Sequence, residues 1–424
     1  MRRTNWSVAR RSFILGCMDS KDLFALALGL NKPWYVVRNE LDTVKRELEI
    51  GIDFERGGTF PCSECGQTGC KAYDTEERRW RHLNFFQFNT ILSARVPRTD
   101  CRRCGKRLVD VPWARAGSGF TLLFEALLMT MVPHMPVKAA ARLMGEHDTR
   151  LWRVIHHYVD QALAMRDDSA VERIGIDETS SRRGHNYISI FVDLDVPRVL
   201  FATEGKDSST VARFAEDLKA HDGDAASITE VCMDMSPAFI KGARESLPDA
   251  SVTFDKFHVT KIIGEAVDKT RREERAGHPE LKGQRYALLR NPETMNDDQL
   301  GFVSDLLLRK TQLKTARAFH LKLVFQDFYH QPRKHAETYL NKWCKWASRS
   351  RVPAMVDAAR TIRNHWQGVL RWFTSKITNG LLEGINSLIQ AAKAKARGYR
   401  TSRNLIAMAY LIAGKLDLNA SHLR

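Results

Sequence analysis

Short apolar runs that close on a carboxylate punctuate the middle of the chain. Ile174-Gly175-Ile176 ends in Asp177-Glu178, and Val231-Cys232-Met233 ends in Asp234. Apolar runs of this length, bounded by polar residues, read as buried strands. Between them, residues 186–192 and 198–203 flank an Asp-Val-Pro turn and predict a hairpin, while 209–220 carries helical spacing. A further strand pattern at 250–254 leads into Asp255-Lys256-Phe257-His258. The predicted order is strand, strand, strand, helix, strand, helix, strand, then helices. From His258 to Thr378 the spacing is helical almost throughout.

Upstream the pattern is different. Residues 82–97 predict a strand in a β-rich module, 120–132 a helix, and 136–145 a helix with small inward residues that ends in glycine. Asp148-Thr149 stand where they would cap a following helix that carries Arg150, Arg153, His156 and His157. Two helices joined by a glycine turn are a helix-turn-helix candidate, the second directing these side chains to a major groove. An ordinary helical hairpin gives the same spacing. The segment 111–119, with Val111-Pro112-Trp113 at its start and Gly117-Ser118-Gly119 at its end, marks a boundary between the two regions.

Five of the eight cysteines fall between Cys62 and Cys104. Cys62-Ser63-Glu64-Cys65-Gly66 and Cys101-Arg102-Arg103-Cys104-Gly105 are matched knuckles: two residues between the thiolates let both reach one tetrahedral ion, and the trailing glycine permits the tight turn. One structural zinc on Cys62, Cys65, Cys101 and Cys104 is the expectation. Cys70 and His82 lie nearby and read as bystanders; Cys17, Cys232 and Cys344 sit in apolar or helical contexts and read as core.

Read with Glu383 in Asn379-Gly380-Leu381-Leu382-Glu383-Gly384-Ile385-Asn386, the two aspartates become candidates for a metal site. Hard cations prefer oxygen ligands, and two of them about 3.5–4 Å apart stabilise the attacking and leaving oxygens of an in-line phosphoryl displacement. Asn386, Ser387 and Gln390 share a polar side of the helix with Glu383 by three-to-four spacing. Glu178, Asp193, Asp195 and Asp255 are competing carboxylates, ranked lower: Glu178 follows Asp177 and is expected on the opposite face of the strand, and Asp193 and Asp195 flank the hairpin turn. A mixed sheet with one carboxylate on its first strand and another at the tip of its fourth is the layout of ribonuclease-H-like nucleotidyl transferases. Residues alone reach as far as metal-dependent phosphoryl transfer on nucleic acid.

Charge points to the same partner. With 66 Lys+Arg against 50 Asp+Glu, the formal net charge is +16, which favours polyanions through phosphate contacts and counterion release. After Glu383, Lys393, Lys395, Arg397, Arg400 and Arg403 form the best phosphate-contact run; the many basic residues of the preceding helices, Lys269, Arg309 and Lys310 among them, read mainly as solvated faces. Trp343, Trp346, Trp366 and Trp372 read as core of that helical region. No apolar stretch reaches membrane-spanning length, and the N-terminus, despite Arg2, Arg3, Arg10 and Arg11, lacks a signal-peptide pattern. No glycine-rich phosphate loop occurs, so ATP use is not suggested. A cytoplasmic, nucleoid-associated protein is expected.

Gly175-Ile176-Asp177-Glu178, Asp234-Met235-Ser236-Pro237-Ala238-Phe239, Phe254-Asp255-Lys256-Phe257-His258, the segment from Asn379 to Asn386 and Ala394-Lys395-Ala396-Arg397-Gly398-Tyr399 together resemble bacterial insertion-sequence transposases of the ISL-three family, whose catalytic domain is of the DDE type. The resemblance covers essentially the whole chain. It implies a multidomain α+β protein: a zinc-binding module over 1–112, a helix-turn-helix over 113–165, and a ribonuclease-H-like catalytic domain over 166–424 with an all-helical insertion at about 262–375. It implies that Asp177, Asp234 and Glu383 hold two magnesium or manganese ions. It implies double-stranded DNA as partner, both the terminal inverted repeats and the target, cut and joined by two successive transesterifications. Two ends brought together imply a dimer in the synaptic complex. A hydrolytic nuclease of similar fold and a non-catalytic DNA-binding regulator remain open alternatives.

Overall fold

Strand-forming sequence dominates the first hundred residues, and helix-forming sequence the last hundred and fifty. The computed structural model describes residues 19–182, 184, 186–309, 312–377 and 380–418. Arg2, Arg3, Arg10, Arg11, Cys17, Lys310, Thr378 and Asn379 lie outside the described residues. Two compact units divide the chain, one up to His157 and one over Tyr158–Leu418.

The first unit begins with helix α1 (Ser20–Ala27) and is built on strands β1 (Trp34–Asp42), β2 (Glu47–Phe54), β3 (Thr59–Phe60), β4 (Cys70–Arg81), β5 (Asn89–Cys101) and β6 (Gly105–Leu108). The sheet order is β1-β2-β5-β4-β3 with β6 paired to β5; β2 and β5 run parallel, the other pairs antiparallel. Alternation buries Leu48, Ile50 and Ile52 of β2 and Leu92, Ala94 and Val96 of β5 on one core with Trp34, Trp80 and Trp113. The indole of Trp113 packs edge-on against those of Trp34 and Trp80, at centroid distances of 5.0 and 5.6 Å.

The strand expected over 82–97 begins later. Phe85 and Phe88 exchange backbone hydrogen bonds across a turn, and Phe86 within it takes a left-handed φ of 51°. An apolar Phe-Phe-x-Phe run looks like strand, but here it reverses the chain between β4 and β5. Arg81, 5% exposed, anchors that reversal: its guanidinium donates to the Thr90 carbonyl (3.3 Å), to Asn89 Oδ1 (2.7 Å) and to the Met144 carbonyl (3.3 Å).

Helices α2 (Leu122–Met131), α3 (Val137–Met144) and α4 (Asp148–Ala164) follow. Thr121 caps α2 by accepting from the Phe124 amide, α3 stops at the left-handed Gly145, and α4 starts three residues later. Val137, Ala140, Ala141 and Met144 of α3 and Leu151, Val154 and Ile155 of α4 are buried, as the spacing of small and apolar residues predicts.

The second unit carries β7 (Arg173–Arg182), β8 (Asn186–Asp193), β9 (Arg198–Glu204), α5 (Ser209–Ala220), β10 (Glu230–Met233), α6 (Pro237–Ser246) and β11 (Ser251–Phe254), in the predicted order. Its sheet runs β11-β10-β7-β8-β9, with β11, β10 and β7 parallel and β7, β8 and β9 antiparallel. Helices α7 (Lys256–Glu274), α8 (Arg285–Leu289), α9 (Asp297–Arg309), α10 (Lys314–Gln326), α11 (Arg333–Ser348), α12 (Pro353–Asn364) and α13 (Trp366–Ser375) form the predicted helical stretch, followed by α14 (Gly380–Lys395) and α15 (Ser402–Ala413). One apolar core joins Ile174, Ile176, Phe191 and Met233 of the sheet to Phe319, Phe325 and Trp343 of the helices. Of the four tryptophans expected there, Trp343 is buried and Trp366 and Trp372 are partly buried against the core. Trp346 departs, 40% exposed with its edge on His320, because it lies on the polar side of α11. Among the described residues no helix is long and apolar enough to cross a membrane.

Candidate functional site

Parallel register sets three aspartates side by side. Cys232 of β10 pairs with Gly175 of β7, so two residues further on Asp234 comes level with Asp177. Met233 pairs with Phe254 of β11, so one residue further on Asp255 comes level with Asp234. Neighbouring strands lie about 4.8 Å apart, which brings the Asp177 and Asp234 carboxylates within strong electrostatic reach of each other.

Each aspartate is fixed differently. Asp234 Oδ1 accepts from the Ser236 amide (2.9 Å), which turns the chain into α6 at Pro237. Asp255 caps α7, and its Oδ2 accepts from the His258 amide (3.2 Å) and bonds the His258 ring at Nδ1 (3.0 Å). Asp177 Oδ1 accepts from the Glu178 amide (2.8 Å), and its Oδ2 accepts from Asn386 Nδ2 of α14 (2.7 Å). The aspartate ranked lower in the sequence thus starts a helix and holds an imidazole beside the carboxylates.

Burial pushes the Asp177 carboxyl up to about 6, with Asp234 and Glu178 adding to the rise. Glu178, expected on the opposite face, is raised by burial and also feels Asp234, and Lys206 lies 3.8 Å from it. The Asp255 hydrogen bond holds His258 above the ordinary imidazole range, helped by the charges of Asp255, Asp177 and Asp234. Clustered, desolvated carboxylates facing one imidazole are an environment a cation would relieve.

Helix α14 lies directly on β7. A methyl group on Gly175 would stand 2.2 Å from Leu382 Cδ1, so a larger residue there would make the leucine or its helix shift. Leu382 precedes Glu383, and Asn386 lies three residues beyond it, so Glu383 rides on the turn of α14 docked against Asp177. Its side chain is exposed. The oxygens of Asp177, Asp234 and Glu383 are not all within 4.8 Å of one another: among the described residues, the groups that meet that measure are Cys62, Cys65, Cys101 and Cys104, and Asp168, Asp217 and His221.

Asn386 Oδ1 is buried without a hydrogen-bond partner. An orphaned oxygen on the amide that clasps Asp177 suits a site that takes a cation or its water. Asn386 and Gln390 were legible only as a polar helix side. Gln390 Nε2 bonds Thr179 Oγ1 (2.6 Å) and Lys393 Nζ bonds the Ser180 carbonyl (2.5 Å), continuing the clasp along β7.

The group of Asp168, Asp217 and His221 is occupied by cations of the chain itself. Arg166, 5% exposed in its side chain, donates to Asp168 (2.8 Å) and Asp217 (2.5 Å), and Arg198 reaches Asp168 at 3.1 Å. It is an ion-pair network.

The cysteines behave otherwise. Cys62 and Cys65 follow β3, Cys101 ends β5 and Cys104 lies in the turn to β6. Gly66 and Gly105 close the two knuckles with φ of 71° each, as the trailing glycines predict. Cys65 Sγ lies 3.7 Å from Cys101 Sγ, close to the ~3.8 Å edge of a tetrahedron with Zn–S bonds of about 2.3 Å. Amide hydrogen bonds from Arg103 and Cys104 lower the Cys101 thiol to about 6, while Cys65 beside it pushes Cys104 up to about 12. Four thiols crowded so that the last resists ionising fit a zinc ion. Cys70 packs against Cys62 and Cys101 but turns its thiol to the Gln67 carbonyl (3.4 Å), and His82 bonds Thr121 Oγ1 (2.8 Å), apart from the cysteines.

On α4, Arg153 is exposed and His156 stacks on Trp152 at 5.6 Å. Arg150, expected to face a groove, is taken up within the unit: it pairs with Glu146 (2.6 Å) and lies 4.4 Å from the Phe120 ring centroid. Lys395, Arg397 and Arg400 are exposed and Lys393 is half-buried.

A family model described as transposase matches residues 174–409, a helix-turn-helix domain of transposase family ISL3 matches 109–159, and a zinc-finger of transposase IS204/IS1001/IS1096/IS1165 matches 58–104. The transposase for insertion sequence element IS1557 of Mycobacterium tuberculosis is 31% identical over 387 residues, covering 82% of this chain and 85% of that protein. The transposase for IS1001 of Bordetella parapertussis is 27% identical over 350 residues, covering 80% and 85%. A simian T-cell lymphotropic virus intasome, solved in complex with PP2A regulatory subunit B56 gamma, matches 44% of this chain and 68% of its own at 15% identity, with a TM-score of 0.17 that carries no weight. With a zinc ribbon, a helix-turn-helix and a transposase domain in succession, the chain belongs to the ISL3 family of insertion-sequence transposases.

Proposed function

We propose that the protein binds the terminal inverted repeats of its element and catalyses metal-dependent strand cleavage and strand transfer, with Asp177, Asp234 and Glu383 as its catalytic carboxylates. The observation that carries this reading is the level placement of Asp177 and Asp234 on adjacent parallel strands, with α14 clasped to Asp177 through Asn386. The sheet order β11-β10-β7-β8-β9 supports a ribonuclease-H-like layout, with the helices over about 262–375 as an insertion. The organisation that follows is a zinc-binding domain over 1–112, a helix-turn-helix over 113–165 and a catalytic domain over 166–424. One zinc on Cys62, Cys65, Cys101 and Cys104 holds the first.

Two magnesium or manganese ions, when bound by the three carboxylates, would supply charge neutralisation at the attacking and leaving oxygens. The chain's own residues do the rest. Asn386 fixes the rotamer of Asp177, Asp255 orients His258 toward the carboxylates, and the Leu382–Gly175 contact sets the depth at which Glu383 is offered. Water attacks the phosphodiester at the element end and frees a 3′-hydroxyl; that hydroxyl attacks a target phosphodiester and expels a target 3′-oxygen. Two ends in one reaction require a dimer in the synaptic complex. Exposed Arg153 and half-buried His156 on α4 are the base-contact candidates, whereas Arg150 reads as a support for them. Lys393, Lys395, Arg397 and Arg400 serve the phosphates. The place of action is the cytoplasm, at the nucleoid.

The test is a strand-transfer assay with purified protein, magnesium, labelled end DNA and supercoiled target, run beside Glu383→Gln. Joined product from the native protein, reduced about a hundredfold or more in the variant, is the expected result. Equal activity in both would misplace the third carboxylate; cleavage without joining would make the protein a nuclease, and binding alone a regulator.

A further inference from the structure

Beyond the carboxylates, β7 and α14 run on together into a basic cavity. It measures about 700 Å³ and is lined by Ser181 and Arg182 at the end of β7 and by Gln390, Lys393, Arg397, Tyr399 and Arg400 at the end of α14 and the turn after it. Four cationic side chains line it and no carboxylate does. Among the described residues, none of Arg182, Lys393, Arg397 and Arg400 makes a salt bridge, whereas the buried arginines Arg166 and Arg271 of the same unit pair with Asp168 and Asp268. Gathering like charges without a counter-charge is unfavourable, and an anion offsets it.

The cavity is built by the chain. Lys393 is pinned to the Ser180 carbonyl (2.5 Å) and to Gln390 Oε1 (3.3 Å), and the Arg182 guanidinium bonds the Arg400 carbonyl. The turn at Arg397 and Gly398, with φ of 58° and 93°, sends the chain back so that Tyr399 and Arg400 close one wall. Burial pushes the Tyr399 hydroxyl up to about 12, so the phenol stays neutral beside the cations.

Two independent rulers place it. From Asp177 to Arg182 the strand covers about 16 Å at ~3.3 Å per residue, and from Glu383 to Lys393 the helix covers about 15 Å at 1.5 Å per residue. Phosphates of one strand turn around the duplex as well as rising ~3.4 Å per step along its axis, so a straight span of this length reaches roughly two to three nucleotides away. We infer that this cavity is a phosphate-backbone clamp, holding the element-end strand about two to three nucleotides from the phosphate at the carboxylates. The inference rests on the assignment of Asp177, Asp234 and Glu383 for its origin, and on the cavity itself for its ligand.

The test pairs Arg397→Gln/Arg400→Gln, which alters two exposed side chains that hold nothing in the fold, with a control, Lys219→Gln/Lys241→Gln, elsewhere on the same unit. Full-length proteins bind end DNA without divalent metal across a salt series. The slope of log affinity against log salt is expected to fall by about two in the first variant and to stay unchanged in the control. A methylphosphonate walked along the strand is expected to weaken native binding most at about two to three nucleotides from the cleaved phosphate, and to weaken it clearly less there in the variant. An unchanged slope, an equal fall in the control, or sensitivity confined to other positions would overturn the clamp. Binding is read without chemistry: if the slope and the sensitive phosphate behave as expected while Asp177→Asn still cleaves, the clamp stands and the carboxylate assignment falls.

Discussion

His82 shows how a side chain can be conspicuous in sequence and still serve the fold. It lies among the zinc-binding cysteines along the chain, yet its ring is turned to Thr121 Oγ1, and burial, with Arg81 next to it, lowers its pKa to about 4. A neutral buried imidazole destabilises the fold when the unfolded chain can take a proton. Above the unfolded value of 6.5 it costs nothing; as pH falls from 6.5 toward 4 the unfolded state binds the proton first and stability is lost, and below about 4 the loss is complete. Between pH 7 and 5 the native protein should lose about 2 kcal/mol more than His82→Gln in paired urea titrations, and parallel curves would show that the ring titrates freely. Asn386 is the opposite case, a plain helix residue in sequence that clasps Asp177 in space. Asn386→Leu is expected to lower cleavage about tenfold or more and to weaken manganese binding to the metal-free protein, while DNA affinity is kept. Unchanged manganese binding would reduce Asn386 to a packing role.

Helix α14 depends on β7 as much as on its own sequence. Its docking rests on Gly175, where a methyl group would meet Leu382 Cδ1 at 2.2 Å. Gly175→Ala should therefore displace the turn that carries Glu383, with about 1–3 kcal/mol of destabilisation and a cleavage loss larger than that destabilisation explains. Leu382→Ala combined with Gly175→Ala should recover part of the cleavage by reopening the space; a double variant no better than the first would mean that α14 does not move. None of this could be read from Gly-Ile-Asp-Glu, because Gly175 and Leu382 are far apart in sequence and their contact belongs to the folded chain. What could be read was local: the apolar runs of β7, β8 and β9, the helical spacing of α5 and α7, the knuckle glycines Gly66 and Gly105, and the carboxylates that end apolar runs. The turn at Phe86 was hidden because nothing in a phenylalanine-rich run announces a left-handed residue. That Glu146 and Phe120 reach Arg150 could not be read either, because these contacts form only once α3, its turn and α4 are in place.

Across the whole chain the charge excess of +16 sets a general attraction for DNA, and specificity has to come from placement. In the first unit that placement depends on strands too short to hold themselves: β3 has two residues and β6 four, and both adjoin the cysteine knuckles. The aromatic core of Trp34, Trp80 and Trp113 includes none of the four cysteines; Cys62, Cys70 and Cys101 form a small cluster of their own, with Cys104 packed against it. A cluster of that size buries too little apolar surface to fix the knuckles, so the ion has to do it. The purified protein should carry one zinc per chain by elemental analysis, and Cys104→Ser should lose it. The same variant should bind terminal-repeat DNA about tenfold or more weakly while keeping the helical circular dichroism of the second unit. A folded, zinc-free variant with native affinity would show that the knuckles contribute nothing to recognition, and the whole task of finding the element ends would then pass to α4 and the residues around it.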